Sequence, residues 1–110
     1  MYCGRDFSPM EQDESRELTL DFVNDILDGE SVTAATWKLE VRTGQDPDPE
    51  SHLVGNPILV TPEGTTTQTA TSQRIAGILP DVLYRVQAVV TTDKGNTVSL
   101  WSHVAGEPLE

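Results

Sequence analysis

Apolar and polar residues alternate with a period of two along most of this chain, and that alternation predicts β-strands rather than helices. Leu18, Leu20 and Phe22 alternate with Thr19, Asp21 and Val23, giving a first strand one core face. Ala35, Trp37, Leu39 and Val41 alternate with Thr36, Lys38, Glu40 and Arg42, the cleanest amphipathic strand of the chain. Val86, Ala88 and Val90 point the same way as Tyr84, while Arg85, Gln87 and Thr91 point outward. Asp28-Gly29-Glu30 marks a turn after the first strand, and Asp93-Lys94-Gly95-Asn96 marks a tight hairpin leading into a closing strand from Thr97 to Val104. Phe22, Ile26 and Leu27 also stand at helical spacing, but the stretch is too short for a stable helix, so a strand followed by a turn is expected there.

The middle of the chain is less regular. Gly44, Pro47 and Pro49 exclude an interior strand from Thr43 to Gly55, which reads as a long exposed loop. Ile58-Leu59-Val60 is a short apolar strand between Pro57 and Pro62, confined to an edge or to the start of a bend. Thr65 to Gln73 is polar and β-branched and suits a solvated edge strand. Ile78, Pro80 and Tyr84 then stand at the spacing of a tyrosine corner, in which the tyrosine hydroxyl bonds backbone a few residues upstream and the ring closes one end of the core. About seven short strands without a convincing helix predict an all-β chain, an antiparallel sandwich like immunoglobulin and fibronectin type III domains. Its core is expected around Leu18, Leu20, Phe22, Trp37, Leu39, Tyr84, Val86 and Val90.

Charge and cysteine content narrow the function classes. The 18 acidic residues outnumber 7 basic ones, for a net charge of -11. Such a chain repels phosphate backbones, so no nucleic-acid partner is expected. No segment reaches the ~20 apolar residues of a membrane-spanning helix, and no signal peptide precedes the first strand. Cys3 is the single cysteine. It has no internal disulfide partner, and folding in a reducing cytoplasm is the expectation. Residues 1–14 lack any period and read as a flexible lead, 15–106 as the sandwich domain, and 107–110 as a tail whose Leu109-Glu110 has the look of an expression-vector scar.

Three stretches carry a resemblance to known proteins. They are Glu17-Leu18-Thr19-Leu20-Asp21-Phe22, then Leu27-Asp28-Gly29-Glu30-Ser31-Val32 with Ala35-Thr36-Trp37, and the later run from Tyr84-Arg85-Val86 to Asn96-Thr97. Together they resemble small immunoglobulin-like proteins of tailed bacteriophages and prophages, which serve as tail or fiber-tail adaptor components. The likeness covers about residues 13–105. The long proline-bearing loop between Arg42 and Pro57 departs from it. The resemblance implies a non-enzymatic structural part, other tail or adaptor proteins as partners, homo-oligomers within the assembly as a further option, and a bacterial cytoplasm-to-virion itinerary. The alternative is a fibronectin-like accessory module that binds carbohydrate or a protein partner.

Candidate chemistry is sparse. Asp46, Asp48 and Glu50 alternate on one loop as hard oxygen ligands for Ca²⁺ could, but Pro47 and Pro49 stiffen the segment and a solvated acidic loop is expected instead. Asp25, Asp28 and Glu30 cluster at a turn that recruits such residues for backbone reasons alone. His52 and His103 lack cysteine neighbours that would complete a zinc site, and Cys3 lacks a positioned base. No phosphate loop or Ser/His/Asp spacing is present. Neither catalytic residues nor a metal or other cofactor are expected. The candidate contact residues are Phe7 in the lead, Thr67 and Thr69 on the threonine-rich strand, and Trp101 on the last strand. Trp101 faces either the core or a partner; the core register is preferred.

Overall fold

The computed structural model describes residues 1–108; the Leu109-Glu110 pair, read above as a vector scar, lies outside them. Six strands run in chain order as β1 (Ser15–Asp21), β2 (Val32–Thr43), β3 (Leu53–Val60), β4 (Ala70–Ala76), β5 (Leu83–Thr92) and β6 (Thr97–Ala105). One turn of 3-10 helix, Pro49–His52, precedes β3. The strands form two antiparallel three-stranded sheets, ordered β1-β4-β3 and β2-β5-β6. These stack as a small all-β sandwich, the fold class that the alternation predicts.

The core lies between the sheets. Leu18 and Leu20 from β1, Trp37 and Leu39 from β2, Ile75 from β4, and Tyr84, Val86 and Val90 from β5 are all buried, as is Phe22 just past β1. Each strand supplies alternate residues because successive side chains of a pleated strand point to opposite faces. Trp37 is 4% exposed, and its indole Nε1 donates to Thr71 Oγ1 at 3.1 Å across the sheets. A buried indole N–H needs such a partner, and the polar strand β4 provides it.

Four sequence expectations need correction. First, the threonine-rich segment is not an edge. Its continuation β4 is the central strand of its sheet, paired with β1 through Leu18↔Gln73 and with β3 through Leu59↔Thr71. The strand can be both polar and central because its side chains find partners inside the protein. Thr69 Oγ1 donates to Asp21, Thr71 Oγ1 donates to the Ile58 carbonyl, and Gln73 Nε2 donates to the carbonyls of Val54 and Gly55. Second, β3 starts at Leu53, inside the segment expected to be loop, and is the true edge on that side.

Third, the lead is docked. Residues 1–10 run parallel to β6 as an irregular ribbon, with Cys3 N–H donating to Trp101 O, Phe7 N–H to His103 O and Met10 N–H to Ala105 O, each at 2.9 Å. Met10 is fully buried, and Phe7 and Cys3 pack against the core. The ribbon satisfies the free edge of β6 and buries an apolar side chain, which offsets the entropy of ordering it. With it, the sandwich has seven β-paired segments. Fourth, Trp101 does not enter the core: Leu100, Ser102 and Val104 do, so Trp101 lies on the outer face of the sheet.

Where β6 ends, Gly106 presses against the corner loop. A Cβ there would stand 1.9 Å from the Leu79 carbonyl oxygen, so no other residue fits without moving backbone. Gly106 N–H donates to Val82 O, and Asp81 N–H donates to Gly106 O.

Candidate functional site

Three places gather polar or exposed groups. The first is the tyrosine corner. Tyr84 is fully buried, and its hydroxyl accepts from the Leu79 N–H at 3.0 Å, the upstream backbone bond expected of the motif. The same hydroxyl donates to Asp46 Oδ2 at 2.6 Å, a partner that the sequence did not reveal. His52 stands on the other side, with Nε2 2.7 Å from that same oxygen, and its ring meets Tyr84 edge-on. Asp46 is thus turned inward, its side chain 4% exposed, rather than solvated as expected of an acidic loop. Asp48 and Glu50 remain exposed, so the three acids do not converge.

The electrostatics of the corner follow from this geometry. Burial pushes the Asp46 carboxyl up, but hydrogen bonds from Tyr84, the Asp48 N–H and His52 outweigh it and hold the group below the usual range. Burial, with Asp46 beside it, drives the Tyr84 hydroxyl well above its ordinary value. An Asp–His pair is the orienting half of a nucleophilic triad. Here, however, the second imidazole nitrogen, Nδ1, faces the Ala76 carbonyl at 3.2 Å and not a serine or cysteine. The corner is built to hold a loop.

The turn after β1 follows the same logic. Glu30 is 1% exposed and accepts from Leu27 N–H, from the Thr92 hydroxyl and from Asn96 Nδ2. The Thr92 bond foremost, and then that from the Leu27 backbone, hold its carboxyl low against the opposing effect of burial. Glu30 therefore ties this turn to the β5–β6 hairpin, while Asp28 points to solvent. Among the described residues, no three His, Cys, Asp or Glu side chains converge where they could hold a metal ion.

The second place is the outer face of β5 and β6, where Trp101 lies. The Arg85 guanidinium sits 4.4 Å from the Trp101 ring centroid, a cation–π contact, and the Tyr2 ring lies 4.8 Å from it at a 45° tilt. His103 meets Trp101 edge-on at 5.2 Å. Tyr2 hydroxyl donates to Asp6 Oδ1 at 2.8 Å, and that bond draws the Asp6 carboxyl down. His103 Nδ1 stands 3.3 Å from the same oxygen. Trp101 is thus the anchor on which the ribbon sits. Phe7, another candidate contact, is likewise spent on docking the ribbon.

The third place is the free edge at β3. Val54 is 45% and Ile58 53% exposed, and their cross-strand partners Arg74 and Ser72 put both on the outer face of the sheet. The eight residues of β3 include no charged side chain. Gly55, at a φ of +71°, forms part of an irregularity between Val54 and Ile58. Of the expected threonine contacts, Thr67 is half-buried and Thr69 is buried against Asp21. The available surface on this sheet therefore lies one strand over from where the hydroxyl-rich sequence pointed. The signal for it was present as an uncharged run from Leu53 to Pro62 in a strongly acidic chain.

Comparison with protein-family models, curated proteins and solved structures gives no match to this chain. Among the described residues, no helix is long and apolar enough to cross a membrane.

Proposed function

We propose that the protein is a non-enzymatic adaptor or structural component of a bacteriophage or prophage tail, acting through contacts with other tail proteins. The resemblance set out above supplies the class. The observation that carries the contact reading is β3: an uncharged edge strand exposing Val54 and Ile58 on a chain of net charge -11. Free edges of folded proteins are commonly guarded by charge; β3 has none, only Pro57 and the irregularity at Gly55 interrupt it, and its two exposed aliphatic side chains suit contact with another chain. The acidic remainder of the surface keeps free copies apart and favours a complementary partner. On this reading the protein acts in the bacterial cytoplasm during assembly and then in the virion.

Co-expression with the tail proteins encoded beside it, followed by size-exclusion chromatography, tests the proposal. Co-elution with one of them is expected, with loss in an Ile58→Lys variant that remains folded. Co-elution with none overturns it. The exposed Tyr2 beside Trp101 favours a second reading, an accessory module that binds carbohydrate or a protein partner. The Arg85 guanidinium over the Trp101 ring occupies a face on which a sugar would stack, which weighs against carbohydrate. Retention of a defined glycan on an array, without binding to tail proteins, would select the accessory module.

A further inference from the structure

The backbone of the ribbon, residues 1–10, is tied to residues 101–107. Trp101 N–H donates to Met1 O, Cys3 N–H to Trp101 O, Phe7 N–H to His103 O and Met10 N–H to Ala105 O, each at 2.9 Å, and Glu107 N–H donates back to Met10 O at 2.8 Å. Ser102 Oγ donates to Arg5 O at 2.6 Å. Met10 is fully buried, and Cys3 and Phe7 pack on the core. The whole sandwich lies between the ribbon and these partners along the chain. The same groups therefore fit the ribbon whether their own copy or another supplies it.

What keeps the contact within one copy is the turn from Glu11 to Glu14. Glu14 N–H donates to Glu11 O at 3.1 Å, Glu11 N–H donates to Glu14 Oε1 at 2.8 Å, and Arg16 Nη1 reaches across to Ser8 O at 3.3 Å. Glu11, Gln12 and Asp13 are exposed, so opening the turn uncovers none of their side chains. Three of its four residues are acids, and extension moves their like charges apart.

We propose that the ribbon is an exchange arm: residues 1–10 of one copy dock along β6 of a second copy, which returns its own ribbon, joining the two as a swapped pair. The pair keeps every ribbon–β6 bond named above and replaces only the closed turn by an extended one. The contact suits a chain of net charge -11. Arg5 and Asp6, the only charged side chains of the ribbon, cancel, and β6 contains no Asp, Glu, Lys or Arg. Ribbon and acceptor edge thus meet without setting acid against acid. Within one copy the short turn gives the ribbon a local concentration on the order of millimolar. The closed form is accordingly that of dilute protein, and the exchanged form that of copies crowded together.

Refolding an equimolar mixture of isotope-labelled and unlabelled protein at about 1 mM, followed by size-exclusion chromatography and isotope-filtered NOE spectra, tests exchange. We expect a dimer that is missing after refolding at about 10 μM, with NOEs from the ribbon of labelled copies to β6 of unlabelled ones. Glu14→Ala removes the carboxylate that closes the turn but no ribbon–β6 bond. It should shift the balance about tenfold towards dimer, since one charge-assisted hydrogen bond of the closed form is lost. Exchange stands apart from the β3 contact, so Ile58→Lys should exchange like the unmodified protein even where it loses a tail partner. Monomer alone at 1 mM would overturn the proposal. So would a dimer whose ribbon–β6 NOEs all lie within one copy. If Glu14→Ala fails to fold, the unmodified mixture still decides.

Discussion

The two tryptophans of this protein occupy opposite sides of one sheet and do opposite kinds of work. Trp37 on β2 points between the sheets, is 4% exposed, and places its indole N–H on Thr71 of the facing sheet. Trp101 on β6 points outward, beneath Arg85 and beside Tyr2, and holds a ribbon of chain against the outside. Both sit in alternating runs, and in each run the neighbouring pattern is what decides the side. Around Trp37 the pattern is unambiguous, because Lys38 and Glu40 cannot be buried. Around Trp101 the alternatives are Leu100, Ser102 and Val104 against Ser99, Trp101 and His103, and two aliphatic side chains outweigh one indole. A buried tryptophan stabilises the whole domain; an outer one stabilises what lies on top of it.

The contrast makes ordered predictions. Trp37→Ala should cost about 3–5 kcal/mol, close to the entire stability of an ordinary small domain. Denaturant unfolding reads this directly, and an unchanged midpoint would refute the core placement. Tyr84→Phe keeps the ring but removes the hydroxyl between Leu79 and Asp46. It should cost about 1.5–3 kcal/mol, because the lost acceptor partner is a buried carboxylate. Acid should strike both ends of β5, at Asp46 beside Tyr84 and at Glu30 beside Thr92. Asp46 and Glu30 both have lowered folded-state pKa values, so their contribution is present above the ordinary carboxylate range and lost as pH falls through the lowered values. Stability should therefore decline on acidification, and less steeply in a Glu30→Gln variant measured by the same denaturant series.

Trp101→Ala should have the smallest effect on global stability, about 1–2 kcal/mol, since the ring is only partly buried and its aromatic contact to Tyr2 contributes modestly. Its signature is local. Amides of Cys3 and Phe7, which bond β6 beside it, should exchange much faster while those of β5 stay protected. Uniform loss of protection across both sheets would show that Trp101 supports the core after all.

Much of the fold was legible because a period of two with clear charge partition leaves little freedom, as around Trp37, Leu39, Val86 and Val90. The tyrosine corner was legible because its motif is local. What could not be read depends on contacts between distant residues. A threonine-rich strand looks like an edge until Asp21 and Ile58 are seen to receive its hydroxyls. An acidic loop looks solvated until Tyr84 is found to aim its proton at Asp46. The lead looked aperiodic because its hydrogen bonds follow β6 at irregular steps, through Cys3, Phe7 and Met10. The candidate contact surface moved for the same reason: once β4 became central, its neighbour β3 became the edge.

Parallel pairing between the ribbon and β6 also imposes an order of events on a chain made from its amino end. Cys3, Phe7 and Met10 are made before any strand of the sandwich, yet their partners Trp101, His103 and Ala105 lie on its final strand. Contacts between such distant segments form late, because the loop between them must close before they contribute anything. Met10, fully enclosed in the finished protein, therefore remains in water throughout synthesis of the strands that will enclose it. The ribbon closes after the sandwich it belongs to, and until then the β6 side of the nascent molecule stays open to a chaperone, a protease or a strand from a neighbour.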